Sequence, residues 1–219
     1  YGAGDEHPDG IHIEADDLTD VVVSGNAVYD SVCQGITIYG HATLTDLLVE
    51  NNLVFGLEGA AARMMISGIA SGTIVNNTII APLANTALRF EVGSHGFPNK
   101  IDAFYNNIVT RLLIDANQGD VAVTISSHGN NIFGNDPTGA GGTTAFAPAD
   151  SSLVDTVPDF VDTASGDYRL TADSVAVGFA DPEHAPEWDY WGHARDTEPD
   201  AGHDEYGDFG LRVRGLRVE

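Results

Sequence analysis

Apolar and polar residues alternate in short runs along the first two thirds of the chain, and the runs recur. GIHIE (10–14), GITIY (35–39), MMIS (64–67), ALRFE (87–91) and RLLID (111–115) each read as a strand with one apolar side. A second set sets an asparagine between β-branched or apolar stretches: VVVSGNAVYD, LLVENNLVFG, TIVNNTII, AFYNNIVT and HGNNIFGN. The aligned asparagines are Asn26, Asn52, Asn77, Asn107 and Asn131, at spacings of 26, 25, 30 and 24 residues. Repeats of that length carrying short strands are coils of a solenoid: strand, short turn, strand, asparagine turn, strand, longer turn. An asparagine in a tight bend tolerates left-handed backbone angles, and its amide can reach the equivalent position one coil away.

The repeat resembles the pectate-lyase-like superfamily of right-handed parallel β-helices, over residues 10–135. The expected fold is therefore all-β: a right-handed parallel β-helix of about five coils with an asparagine ladder. Past Asn135 the repeat fades into a Gly, Thr, Ala and Pro-rich loop. VPDFVDTASGDYRLTADSVAVGFAD and WDYWGHARDTEPDAGHDEYG resemble the closing segment of secreted β-helix proteins, over residues 157–207. Residues 1–135 are read as coils and 136–219 as an irregular capping segment of the same domain. An open last coil exposes unpaired backbone, so the segment is expected to cover it, with Trp188, Tyr190 and Trp191 as apolar cover and Arg195 paired with carboxylates. The final GLRVRGLRVE alternates as a strand and suits pairing back onto the helix. The chain enters its first coil almost at once, which fits either a fragment or a naturally short helix.

Charge narrows the partners. Asp and Glu number 33 against nine Lys and Arg, a formal net charge of -24. A nucleic acid would be repelled. A hydrated acidic surface of the halophilic or marine kind accounts for the excess, with cation binding as the second reading. No apolar run reaches the roughly 20 residues of a membrane span. Cys33 is the single cysteine and reads as a small buried hydrophobe. No heptad repeat suggests trimerisation, and a monomer is expected.

Alternation also nominates a surface. With Ile11 and Ile13 inward, His12 and Glu14 point outward, and the same logic applies to each following strand. One outward column reads His12, Thr37, Met65, Arg89; the next reads Glu14, Tyr39, Ser67, Glu91, Asp115. His7, Asp9 and His12 cluster in EHPDGIHIE, which resembles an element at the start of some β-helix proteins of the superfamily; the structural alternative is a plain Asp-Gly turn before a strand.

The resemblance implies a secreted or cell-surface protein acting on polysaccharide, with functional groups on one sheet. A lyase acting on a uronate polymer by β-elimination is the expected activity. Arg89, His12 and Tyr39 are the candidate catalytic residues, Glu91, Ser67 and Asp115 the substrate contacts, and Asp9 and Glu14 the ligands for Ca²⁺. A glycosidase ranks lower: Glu14 and Glu91 stand three coils apart, roughly 14 Å, too far for a direct carboxylate pair. The NTD, DD, GHG and RIK order of the polygalacturonase branch is also not reproduced, since GSHG (93–96) stands alone and RIK is missing. A non-catalytic carbohydrate-binding or adhesive solenoid is the third class.

Overall fold

The computed structural model describes residues 9–207 except 15, 32, 57–61, 83–84, 93–96, 116–121, 136 and 138–145. His7, GSHG (93–96) and the final GLRVRGLRVE lie outside the described residues.

Coil one comprises β1 (Ile11–Glu14), β2 (Val22–Ser24) and β3 (Ala27–Val28). Coil two comprises β4 (Ile36–Leu44), β5 (Leu47–Glu50) and β6 (Leu53–Val54), and coil three β7 (Ala62–Ile69), β8 (Gly72–Val75) and β9 (Thr78–Ile79). Coil four comprises β10 (Thr86–Glu91), β11 (Asn99–Ile101), β12 (Ala103–Tyr105) and β13 (Ile108–Val109). Coil five comprises β14 (Leu112–Asp115), β15 (Val123–Ile125), β16 (His128–Gly129) and β17 (Ile132–Phe133). Equivalent strands pair in parallel into three five-stranded sheets: sheet I β1-β4-β7-β10-β14, sheet II β2-β5-β8-β12-β16 and sheet III β3-β6-β9-β13-β17. The chain is thus a parallel β-helix, with four full turns between the first and fifth strand of a sheet. The core runs down its axis through Ile38, Ile66, Phe90 and Ile114 of sheet I, Val49, Ile74 and Phe104 of sheet II, and Val54, Ile79 and Phe133 of sheet III.

The asparagine turn between sheets II and III divides its work between two residues. Left-handed backbone angles fall on Gly25 (φ 63), Asn51 (φ 52), Asn76 (φ 51), Asn106 (φ 59) and Asn130 (φ 50), each one position before the repeat asparagine. The repeat asparagines turn inward and form the ladder. Asn77 Oδ1 accepts from the backbone N–H of Asn52 at 3.1 Å and from its Nδ2 at 2.9 Å, and Asn77 makes the same two bonds to Asn107 Oδ1 at 3.0 Å. Their Nδ2 groups also donate to the carbonyls of Val49 and Ile74, so the amides seal the corner of the core. Asn26 and Asn131 end the column, and Ser152 Oγ continues it by accepting the Asn131 N–H at 3.2 Å.

Residues 146–156 meet the last coil: Phe146 packs against Phe104, Phe133 and His128, and Leu153 bridges Ile132. The segment 157–207 has a different placement from the expected end cap. It runs along the flank as a strap, with β18 (Phe160–Asp162) and β19 (Asp167–Leu170) paired antiparallel. The outward amides of the asparagine turns hold it. Asn51 donates to the Trp188 carbonyl at 2.7 Å, Asn76 to Asp200 at 3.0 Å, Asn106 to Asp181 at 3.0 Å and Asn130 to Phe179 at 2.8 Å. Ile108 and Ile132 face outward from sheet III and are buried by Leu170, Ala176 and Ala201 of the strap. Such a face would be too apolar for water, and this explains why the strap covers it. Arg195 pairs with Glu205 at 3.0 Å inside the strap, as expected, and also reaches Asn51 Oδ1 at 3.0 Å. Trp188 and Trp191 depart from their expected role as apolar cover, being 45% and 46% exposed.

Strap docking carries its own pH dependence. Burial raises the Asp204 carboxyl to about 7, with Asp189 and Asp200 adding to the effect, and burial raises Asp200 to about 6. Both hold protons more tightly folded than unfolded, so their contribution is present in acid and lost as pH rises through that range. His203 acts oppositely: burial and Arg195 press it down to about 3, so its contribution is lost as pH falls from 6.5 towards that value. Two acids outweigh one imidazole near neutrality. Exchange protection of the Leu170 and Ala201 amides should therefore rise from about pH 8 to about pH 5, and decline below about pH 4. Asp204→Asn should flatten the rise; protection that fell steadily from pH 8 would contradict the assignment.

Candidate functional site

Strand pairing puts the nominated residues in two columns on the outer face of sheet I. His12 pairs with Thr37, Thr37 with Met65, and Met65 with Arg89; Glu14 pairs with Tyr39, Tyr39 with Ser67, Ser67 with Glu91, and Glu91 with Asp115. The face is not uniformly open. Thr37, Met65 and Ser67 are buried at 1%, 4% and 4% exposure, so Ser67 is a floor residue with little reach to a substrate. Thr37 Oγ1 lies on the same floor with no hydrogen-bond partner among the described residues. Phe97 packs against Gly68 and stacks on His41, with ring centres 5.7 Å apart. Two accessible patches remain at the ends of the columns.

The first patch is a chain of acids and imidazoles. Asp9 has a side chain only 2% exposed, and both its oxygens are engaged. Oδ1 accepts the Gln34 N–H at 3.0 Å, and Oδ2 meets His12 Nδ1 at 2.8 Å. An ionised carboxylate only accepts, so this contact suits an imidazole with a proton on Nδ1. His12 Nε2 lies 3.6 Å from Glu14, whose other oxygen is 3.4 Å from His41 Nε2; His41 Nδ1 meets Asp16 at 2.7 Å. The Tyr39 ring lies 5.9 Å from that of His12. Burial, and then the carboxylates of Glu91 and Asp9, push the Tyr39 phenol up to about 12, so it keeps its proton at neutral pH. Its Oη meets Met65 Sδ at 3.8 Å, a weak acceptor.

The second patch is an ion cluster. Arg89 Nη2 bonds Asp115 at 2.5 Å, and its Nε lies 3.1 Å from Glu91 without hydrogen-bond alignment. Glu91 and Asp115 thus act first as counter-ions of Arg89. Three coils separate His12 from Arg89, roughly 14 Å at the strand spacing. The two patches therefore cannot act on one bond together.

Two arginines escape the sequence reading. Arg63 is 1% exposed and Arg111 half-buried, and both continue the outward alternation of β7 and β14 by one step towards the N-terminus. Starting the runs at Arg63 rather than Met64, and counting Arg111 in its own run, would have found them. With Arg89 they place three of the nine Lys and Arg residues on one face of a chain of net charge -24. His41 was also missed, because it sits at a left-handed position (φ 46) where β4 continues beyond the regular repeat.

Asp9 and Glu14 were expected to hold Ca²⁺. Both Asp9 oxygens are engaged, by the Gln34 N–H and His12, while Glu14 lies between the His12 and His41 rings and Asp16 meets His41. Among the described residues no group of three or more His, Cys, Asp or Glu side chains is arranged to hold a metal ion. Cys33 is half-buried and unbridged; burial pushes its thiol up, and its Sγ lies 2.6 Å from Gln34 Oε1. The residue is thus less buried than expected, and a thiol pushed up is less ionised than a free one. Among the described residues no helix is long and apolar enough to cross a membrane.

Fold and surface together define a parallel β-helix with a polar, histidine- and arginine-bearing outer sheet. No protein-family model, curated protein or solved structure matches the chain.

Proposed function

We propose that the outer face of sheet I binds an acidic polysaccharide and cleaves it by β-elimination, in a protein that works outside the cell. The observation that carries this reading is the Asp9–His12 pair beside a protonated Tyr39. In β-elimination a base takes the C5 proton of a uronate, the C4–C5 double bond forms, and the O4 leaving group takes a proton. His12 Nε2 is the base, oriented by Asp9, and Tyr39 Oη is the acid. Arg89 becomes a subsite residue some coils away from the scissile bond. A uronate carboxylate brought to His12 meets Glu14 and Asp16. The reading therefore calls for high salt or free cations in solution to screen that repulsion, since the described residues form no metal site here. The likeness of the repeat to pectate-lyase-like proteins supports the same class.

The test is incubation with pectate, alginate and other uronate polymers, with and without calcium and in high salt, following ultraviolet absorbance of unsaturated ends. Absorbance that grows with time supports the lyase. Reducing ends without absorbance would mark a hydrolase, and binding without turnover a carbohydrate-binding module; either result overturns the reading. Tyr39→Phe should lower kcat about 100-fold with KM nearly unchanged, because only the transferred proton is lost.

A further inference from the structure

A second cleft lies on the flank of the helix, between sheet III and the strap. It holds about 770 Å³, and none of its lining residues belongs to sheet I. Tyr29, Asp30 and Phe55 line the helix side, and Tyr168, Trp191 and His203 the strap side. Tyr29 and Phe55 stack with ring centres 5.3 Å apart, and Tyr168 follows at 4.7 Å from Phe55. Tyr29 stays 56% exposed and Trp191 46% exposed, so large ring faces are left open rather than folded into the core. Open rings beside carboxylates suit a ligand with one apolar and one hydroxylated face.

The charge of the lining selects among such ligands. Arg169 grips Asp167 through two bonds, Nε to Oδ1 at 2.9 Å and Nη2 to Oδ2 at 2.6 Å, and the pair is neutral as a unit. Asp30 adds a further negative charge, and the lining holds no other Lys or Arg. A uronate would be repelled here; an uncharged sugar would not. His203 supplies an independent observation. It is 1% exposed, its Nδ1 meets Thr78 Oγ1 at 2.9 Å, and its Nε2 has no hydrogen-bond partner among the described residues. A buried ring nitrogen without a partner is costly. The His203 ring forms part of the inner wall of the cleft.

We propose that this flank cleft is a binding site for a neutral saccharide, whose C–H face stacks on Trp191 and Tyr29 while its hydroxyls meet Asp30 and the Asp167–Arg169 pair. The site is separate from the sheet I groove and does not rest on the reading of that groove. It would anchor the protein on an uncharged glycan while sheet I meets an acidic one.

Titration calorimetry on the full chain with xylopentaose, cellopentaose, mannopentaose, maltopentaose and trigalacturonate tests this. At least one neutral oligomer should bind at millimolar concentration or tighter. Trp191→Ala and Tyr29→Ala should each weaken it at least about 10-fold, since each removes a stacking face. Both side chains are about half exposed, so the variants should keep the wild-type circular dichroism, and that check goes with the titration. Tyr39→Phe, which lies in the other site, should bind as wild type. Failure of all four neutral oligomers to bind overturns the proposal, as does wild-type affinity in both folded variants. Trigalacturonate binding that disappears in Trp191→Ala overturns the neutral class.

Discussion

Replacing Asn77 with alanine is expected to destabilise the helix by about 3 to 5 kcal/mol, since it strands several buried polar groups at about 1 to 3 kcal/mol each. Asn77 is completely buried. Its Oδ1 satisfies the backbone N–H of Asn52, and its Nδ2 satisfies the Val49 carbonyl and the next rung at Asn107. Alanine leaves the Asn52 N–H and the Val49 carbonyl facing a dry corner, and breaks the column between coils two and four. Compensation is small: Asn52 Nδ2 keeps only its bond to the Val23 carbonyl at 2.8 Å. Asn76→Ala, one residue earlier, should cost about 2 kcal/mol by another route. Alanine at φ 51 is strained by about 1 kcal/mol, and the strap loses the amide that holds Asp200. Equilibrium denaturation at fixed high salt measures both. A loss below about 1 kcal/mol for Asn77→Ala would show that the ladder is not a main support of the coils.

Much of this fold was legible because a parallel solenoid makes long-range pairing look local. Each strand meets its equivalent one repeat away, so aligning the asparagines also aligned His12 with Thr37 and Glu91 with Asp115. The reading failed where the repeat was no guide. It gave one asparagine both jobs, whereas the turn assigns left-handed geometry to Asn51, Asn76, Asn106 and Asn130 and the ladder to their successors. Nothing in the repeat shows that those first asparagines bind carbonyls up to 137 residues away. The strap was therefore expected at the end of the helix. Its place on the flank is set by Ile108 and Ile132, which look like ordinary strand residues until their outward direction is known.

The candidate site was legible in register but not in role. Alternation names the residues of a face; it does not say which charges neutralise one another. Arg89 alone in sequence looks like a free cation, and only three-dimensional pairing reveals Glu91 and Asp115 as its counter-ions. Asp9 looks like a metal ligand in sequence because a carboxylate near a histidine suits either task. Its burial and its contacts to the Gln34 N–H and His12 emerge only in three dimensions.

The proposed role of Asp9 in orienting His12 leads to the largest expected loss of activity. Asp9→Asn should lower kcat about 1,000-fold while KM moves less than about twofold, because a base held in the wrong tautomer loses transition-state and not ground-state interactions. The asparagine carbonyl would keep the Gln34 N–H, which sits 3.0 Å from Oδ1. Its NH₂ would then face His12 Nδ1 as a donor and drive the imidazole proton to Nε2, where the base must be open. His12→Ala should fall at least as far, and Asp9→Asn combined with His12→Ala no further, since the two residues act as one unit. Nitrogen chemical shifts of the His12 ring supply a readout that general loosening would not move: Nδ1-protonated in the wild type, Nε2-protonated in Asp9→Asn. A folded Asp9→Asn protein with wild-type turnover, or with an unchanged tautomer, would remove His12 from the role of base.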